Sequence, residues 1–384
     1  MTPEPHAAGC PSAGFLLGHA ASDHWEEAAA RCLQQIGTVP DDYNLGFLYV
    51  ADDYAGMLPA ILDRFRRATG IQDWVGTLGM GVCATATEYH QTGAISALLC
   101  NLPPDSYRLL PPLTDPRLPE LAAYTDWLRQ HPHHLAVVHG DPRSPVIPQL
   151  IQGLARGLPN GYLVGGLTSS RWDEVQIADR VFQGGLSGVV FSDRVRVVTG
   201  ITQGCCPIAG RHVITDCDRN IIRRIDDRPA LDVFFEDIGE ILARDLNRIA
   251  GYIFAALPLP HSDRGDYLVR NLVGLDTRNR LLAIGDMVEP GQAIQFCRRD
   301  GRSAWEDLER MLDDVRTRIQ GRPQGALYFS CLGRGPHLFG NGSEELRAIQ
   351  RHLGDIPLAG FYANGEICHD QLYGYTGVLA VFHD

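Results

Sequence analysis

Apolar residues in this chain fall in short unbroken runs separated by amphipathic stretches. Leu45–Val50 is such a run and predicts a strand buried on both faces. The spacing of Leu58, Ile61, Leu62 and Phe65 predicts a helix from about Met57 to Ala68. Trp74–Gly79 and Ala94–Leu99 predict two further strands. The same order then recurs: a strand at Leu135–Val138, a helix over Ile147–Leu158, and strands at Leu163–Thr168 and Leu186–Phe191, with Gly165 standing where Gly76 stood. A looser third copy closes the chain, with a strand at Ala326–Ser330, a helix over Glu344–Leu353, a strand at Pro357–Tyr362 that contains Gly360, and a strand at Gly377–Phe382. Such recurrence predicts an α/β protein. Its duplicated strand–helix–strand units form layered sheets, and a second α/β domain stands at the C-terminus.

Between the second and third copies the pattern changes, over about 205–321. Leu231, Phe234, Ile238, Ile241, Leu242 and Leu246 predict a helix over Pro229–Leu246, and Ala304–Ile319 predicts another. Strand-like runs alternate with turns over Val269–Phe296. Gly200, Gly204, Pro207 and Gly210 interrupt the periodicity and favour a boundary near 200–225. The expected division is an N-terminal extension and helix over 1–39, a domain over 40–225 with internal repeats at about 45–110 and 135–200, and a C-terminal domain over 226–384.

Composition narrows the chemistry. The formal net charge is −12, which argues against a phosphate-backbone binder and so against nucleic acid. All 34 Lys+Arg residues are Arg. Without a lysine, the usual forms of phosphate-loop hydrolase, protein kinase, pyridoxal-phosphate enzyme and Schiff-base aldolase are excluded. The 10 cysteines include no Cys-x-x-Cys pair, and reduced thiols in a cytoplasmic protein are expected. The start of the chain lacks a basic or apolar leader, so Cys10 is not expected to be a lipid anchor, and no run is long enough for a membrane helix. Neither Gly-x-Ser-x-Gly nor a zinc-ligand spacing occurs, and no metal is expected. The adjacent pairs Asp52-Asp53, Asp226-Asp227 and Asp313-Asp314 read as turn or solvated-face residues. His131-Pro132-His133-His134 reads as a solvated helix end.

Several segments together resemble the FIST family of small-ligand sensory domains. They are LGFLYVAD (45–52), WVGTLGMGVC (74–83), LVGGLTSS (163–170), QGCCPI (203–208), RPAL (228–231), YLVRNLVG (267–274), AIGDMVEPG (283–291), SCLGRG (330–335) and GFYANGE (360–366). FIST N resembles roughly 40–225 and FIST C roughly 226–370. The resemblance implies a sensory, ligand-binding role with an amino-acid-like ligand, and output through a partner protein such as a kinase or cyclase. Some stand-alone members are described as nitric-oxide-sensing haemoproteins, so haem is the competing ligand; otherwise no cofactor is expected.

The strongest local candidate site is Cys331-Leu332-Gly333-Arg334-Gly335, directly after a strand. Open α/β sheets bind ligands outside the carboxyl ends of their strands. Gly333 and Gly335 permit close backbone approach, and Arg334 offers a fork matched to a carboxylate. Asn364-Gly365-Glu366 follows the next strand, so Glu366 and Arg334 would share a rim and pair the two charges of a free amino acid. The alternatives are a tight turn with a solvated Arg334, a pairing of Arg334 with Glu366, or a Glu366 that packs across the junction between the FIST N-like and FIST C-like regions. Gly81 and Cys83 in the first repeat, and Ser169 and Ser170 in the second, stand at equivalent strand ends. Cys205-Cys206 offers a redox or soft-metal thiol pair. His139 and His337 are the axial candidates if haem is bound, non-covalently. An enzyme acting through Cys331 or Glu366 is the remaining reading.

Overall fold

The first repeat runs β1 (Gly14–Ala21), α1 (Trp25–Ile36), β2 (Leu45–Ala51), α2 (Leu58–Thr69), β3 (Asp73–Gly79), the hairpin β4 (Gly81–Ala84) and β5 (Thr87–His90), and β6 (Ala94–Asn101). β2 is buried along its whole length, as its unbroken apolar run demands. One face carries Leu48 and Val50 into a core built with Ile61, Leu62 and Phe65 of α2. The segment expected as an extension instead supplies β1, which pairs with β6 from Gly14↔Asn101 to Ala21↔Ala94. In this computed structural model the described residues are 14–131, 134–159, 161–239, 249, 251–259 and 266–384.

The second repeat repeats the order: β7 (Tyr107–Leu113), α3 (Thr125–Gln130), β8 (His134–Gly140), α4 (Ile147–Gly157), β9 (Tyr162–Leu167), the hairpin β10 (Val175–Ala178) and β11 (Arg180–Gln183), and β12 (Leu186–Ser192). His134 is buried at the start of β8 rather than solvated, because the strand begins one residue earlier than the apolar run suggests. Pro132 and His133 lie outside the described residues.

After β13 (Val197–Gln203) the chain builds a separate unit, Thr202–Arg310 with Tyr373–Thr376. It contains β14 (Cys205–Pro207), β15 (His212–Asp218), β16 (Ile221–Ile225), β17 (Arg228–Pro229), α5 (Ala230–Ile238), β18 (Ile253–Pro258), β19 (Tyr267–Asp276), β20 (Leu281–Ile284) and β21 (Ala293–Arg299). Its pairing closes on itself, since β18 pairs with both β19 and β21. A closed antiparallel sheet has no exposed edge. Phe234 of α5 packs edge-on against Phe296 at 4.9 Å. The helix expected to reach Leu246 is described only to Ile238; residues 240–248 lie outside the described set.

The third repeat then continues through α6 (Gly301–Arg318), β22 (Pro323–Cys331), α7 (Pro336–Phe339), α8 (Glu344–Leu353), β23 (Leu358–Ala363), the hairpin β24 (Glu366–Cys368) and β25 (Gln371–Tyr373), and β26 (Thr376–His383). Residues 311–372 and 377–384 belong to the same compact unit as the first two repeats. The sequence reading placed all of 226–384 in one C-terminal domain. The compact units divide differently because the third repeat shares sheets with the other two, and the separate unit is inserted within that repeat.

The sharing is cyclic. The first repeat's sheet runs β1-β6-β2-β3 and is completed by β10-β11 of the second repeat. The second repeat's sheet runs β7-β12-β8-β9 and is completed by β24-β25 of the third. The third repeat's sheet runs β13-β26-β22-β23 and is completed by β4-β5 of the first. Within each repeat the first central strand and the glycine-bearing strand pair in parallel, with Leu48↔Gly76, Val138↔Gly165 and Tyr328↔Gly360 in register. A Cβ at those glycines would stand 1.9, 1.9 and 1.8 Å from the carbonyl oxygen opposite. Side chains of any size are therefore excluded at all three.

The recurring glycine thus marks a close backbone approach. Gly360→Ala is expected to cost about 3 kcal/mol or more in unfolding free energy, whereas Gly56→Ala, where a Cβ meets nothing within 4 Å, should change little. Urea unfolding of the two variants checks this; equal stabilities would remove the close approach as the reason for the repeat's glycine.

Candidate functional site

The residue after each of those register points turns inward: Tyr49, His139 and Phe329. Their rings meet at the centre, with centroid separations of 5.5 Å for Tyr49–His139 and 6.2 Å for the other two pairs. Phe361 fills the remaining space, stacked on Tyr49 at 5.3 Å and lying 5.9 Å from His139. His139 is fully buried, and its Nε2 lies 3.2 Å from the Tyr49 hydroxyl. Burial alone pushes its pKa down to about 3. The ring is enclosed by three aromatic neighbours and fills a packing position in this arrangement. His337, the other axial candidate, is exposed on the one-turn helix α7.

A different cluster forms where the third repeat accepts the first repeat's hairpin. β4 pairs with β23, placing Cys83 opposite Gly360, and β5 follows as the outer strand. From the loop after β22 comes Arg334, one of the largest fully buried side chains in the protein. Its Nε donates to Glu345 Oε1 at 2.8 Å and its Nη2 lies 2.7 Å from the same oxygen. Glu345, near the start of α8, also accepts from the Tyr328 hydroxyl at 2.6 Å and from Ser330 Oγ at 3.1 Å. The Phe339 ring lies beneath the guanidinium, 4.9 Å from its carbon. Burial works against the Arg334 charge, but the Glu345 carboxylate holds its pKa above the ordinary value. Nη1 is buried with no acceptor in reach.

The hairpin lines the other side. Both Glu88 carboxylate oxygens are buried without a hydrogen-bond donor, and Oε2 lies 3.4 Å from His90 Nε2. The His90 ring stands 4.3 Å from the Tyr362 ring. Gly335 (φ 59) closes the circle: a Cβ there would meet the Tyr362 hydroxyl at 3.0 Å and His90 Nε2 at 3.2 Å. Gly81 borders the same two rings. Cys83 is fully buried beside Tyr362; burial, then Glu88 and Glu345, push its thiol well above the ordinary range, so it is not an activated nucleophile.

Of the residues singled out from sequence, Gly81, Cys83, Arg334 and Gly335 therefore meet in one place. Cys331 accepts the Arg334 N–H at its carbonyl (2.8 Å), and half-buried Gly333 lies between them in that turn. The carboxylate that holds Arg334 is Glu345, eleven residues further along the chain, not Glu366. Glu366 is buried in β24, opposite Gly166 on the second repeat's sheet. Asn364 and Gly365 belong to that crossing too, the Asn364 N–H donating to Leu167 O and the Leu167 N–H to Gly365 O. The hairpin exchange carries them off the sheet that holds Arg334. Ser169 ties the repeats together, accepting from the Met80 N–H at 2.9 Å and donating to Tyr362 O. Ser170 makes a local turn, its Oγ accepting the Trp172 N–H. In the inserted unit, Cys205 is buried with its thiol against Cys297, and Cys206 is half-buried beside Arg298; neither is disulfide-bonded. Among the described residues no group of three His, Cys, Asp or Glu side chains forms a metal site.

Sequence reasoning missed Glu88, His90, Glu345, Tyr328 and Tyr362. It also misread Asp52, which is fully buried: the Arg171 N–H and Nε donate to its Oδ2, both at 2.8 Å, and Nη2 to Oδ1 at 2.7 Å.

Family models for the FIST N domain and the FIST C domain match residues 44–228 and 230–369. The chain belongs to the FIST family. An uncharacterised Mycobacterium tuberculosis protein, Rv0628c, is 31% identical over 375 residues, covering 93% of this chain and 95% of that protein. The uncharacterised Mycobacterium bovis protein Mb0898c is 34% identical over 248 residues, covering 61% of this chain and 64% of that protein. FIST domains are associated with sensory and signal-transduction roles. The FIST N match takes in the first repeat from β2 onward, the second repeat and the start of the inserted unit; the FIST C match takes in most of the rest of that unit and most of the third repeat. Among the described residues no helix of this FIST protein is long and apolar enough to cross a membrane.

The buried His139 gives a pH test. Because its native pKa lies below the unfolded value of about 6.5, stability is lost as pH falls through that value, by about 1.4 kcal/mol per unit, until about pH 3. Between pH 7 and pH 5 the loss from this residue is on the order of 2 kcal/mol. His139→Phe, which copies Phe329, should shift overall stability but flatten that slope. Chemical unfolding of both proteins at the two pH values measures it; parallel slopes would mean the imidazole is protonated in place.

Proposed function

We propose that the protein is a small-ligand-binding sensor whose ligand is amino-acid-like and is held at the Arg334 cluster. The observation that supports this most is the pairing of opposite unmet needs at one buried place. Arg334 Nη1 has no acceptor, while both Glu88 oxygens have no donor. Leaving such groups without partners costs free energy, about 1–3 kcal/mol each and more when charged. A free amino acid supplies both counterparts, an α-carboxylate for Arg334 and an α-ammonium for Glu88. Glu88 thus takes the role that the sequence reading gave to Glu366. Tyr362 and His90 would border the side chain. Output through a separate signalling protein, such as a kinase or cyclase, belongs to the same proposal.

A thermal-shift screen of the free amino acids against the whole chain tests the reading. At least one should raise Tm, and its N-acetylated form, which lacks the ammonium, should not. Glu88→Gln should weaken the response about tenfold or more, equivalent to 1.4 kcal/mol, and Tyr362→Phe should keep most of it. A flat response to every amino acid, or an unchanged response in Glu88→Gln, would end the proposal. Arg334→Ala is a poorer test, because removing one member of a buried ion pair costs about 3–5 kcal/mol by itself.

A further inference from the structure

The seam between the first and second repeats carries a second polar cluster, distinct from the Arg334 site. It is centred on Glu174, which immediately precedes β10. Glu174 is 6% exposed, and its Oε2 is buried with no hydrogen-bond donor. Asp52 and Asp141, from the ends of β2 and β8, are close enough to act on its ionisation. Both are nearly or fully buried. Two arginines stand at this seam, and neither completes Glu174. Arg171 is consumed by Asp52, with Nη2 also 3.1 Å from Asp53. The Arg143 guanidinium donates to the Trp172 carbonyl and reaches Glu174 Oε1 only at 3.8 Å, beyond a hydrogen bond. Four carboxylates thus face two guanidinium groups. Trp172, whose carbonyl takes that Arg143 bond and which stands two residues before Glu174 in the chain, is the sole tryptophan among the exposed large apolar side chains of the described residues, at 64% exposure.

We propose that this seam is a binding site for an organic cation bearing a primary ammonium or guanidinium group, with Glu174 Oε2 as its acceptor and Trp172 as its aromatic wall. The cation's N–H groups would satisfy the orphaned oxygen, and its charge would offset the excess of carboxylates. An exposed indole on the segment that carries Glu174 suits such a group, because the ring face attracts cations while the acids supply charge. A bare divalent ion fits less well, since no three carboxylates converge as ligands among the described residues. The raised carboxyl pKa of Glu174, about 7, agrees with a carboxylate held without its counter-ion; burial is its main cause.

Putrescine and agmatine are suitable probes, read by intrinsic fluorescence and by thermal shift on the whole chain. Both readouts should saturate for one probe or the other. Glu174→Gln should weaken binding about tenfold or more. Trp172→Phe should remove most of the fluorescence change while leaving a weaker, still saturable thermal shift. Glu88→Gln, at the other site, should leave the response as it is, which keeps this proposal separate from the previous one. A response matched by sodium chloride of equal ionic strength, or one unchanged by Glu174→Gln, would overturn the proposal. So would the absence of any saturable response.

Discussion

In none of the three repeats does a glycine-bearing strand end its own sheet. β3, β9 and β23 each leave one edge that is covered only by a hairpin from another repeat. An open strand edge is a row of unmet N–H and C=O groups and a template for wrong pairing. Exchanging hairpins in a cycle covers all three glycine-bearing edges at once. It also has a topological consequence. A residue on a hairpin functions beside a sheet to which it does not belong in sequence, so every seam mixes side chains from two repeats. The two polar clusters both follow from this: His90, with Glu88 beside it, borders the Gly335 turn next to Arg334 because β4-β5 crosses to the third repeat, and Glu174 lies near Asp52 because the second repeat's hairpin crosses to the first.

The seams are also where buried charge is tolerated. Ionised side chains out of water are costly unless paired and hydrogen-bonded. At Glu345 the condition is met, with three side chains donating to one carboxylate. At Asp52 it is met by a two-point clasp from Arg171 together with that residue's backbone N–H. Against these satisfied pairs, the unmet oxygens of Glu88 and Glu174 stand out. A fold able to saturate Glu345 and Asp52 does not leave the other two unmet for lack of donors in its composition, since all 34 of its basic residues are arginines with five N–H groups each. Their state fits groups reserved for a molecule from outside.

Much of this was legible in the sequence, and what was not has a common cause. β2, β8 and β22, with their following helices, were readable because strands buried on both faces are unbroken apolar runs. Gly76, Gly165 and Gly360 were readable as a repeat, though not as a contact with the opposite carbonyl. The hairpins were not readable. They are short, and β5 (Thr-Glu-Tyr-His) is only half-buried along its length. Their turns pass through Ala86, Asp179 and His369, residues with positive φ that are not glycine, so the usual signal of a tight turn is missing. Missing the hairpins meant missing Glu88 and His90, and it placed Glu366 on Arg334's sheet. Asp52 was misread for a related reason: its partner, Arg171, lies in another repeat, and an aspartate pair by itself looks like a turn.

The centre of the first unit shows how far three copies can diverge while the scaffold persists. The backbone register at Gly76, Gly165 and Gly360 is the same in each copy. The side chains one step on, Tyr49, His139 and Phe329, differ, and so do their parallel neighbours Thr77, Gly166 and Phe361. Three large rings plus three large neighbours would overfill the space. Phe361 enters it because Gly166 leaves room: a Cβ at Gly166 would stand 3.3 Å from the Phe361 ring. Thr77 turns to a hydrogen bond with Thr168 at 2.6 Å instead. Packing density is therefore conserved across the centre as a sum and not position by position. Backbone pairing imposes the symmetry, and side-chain volume and charge are free to break it. That freedom lets one seam of a repeated fold present an arginine and another a set of carboxylates.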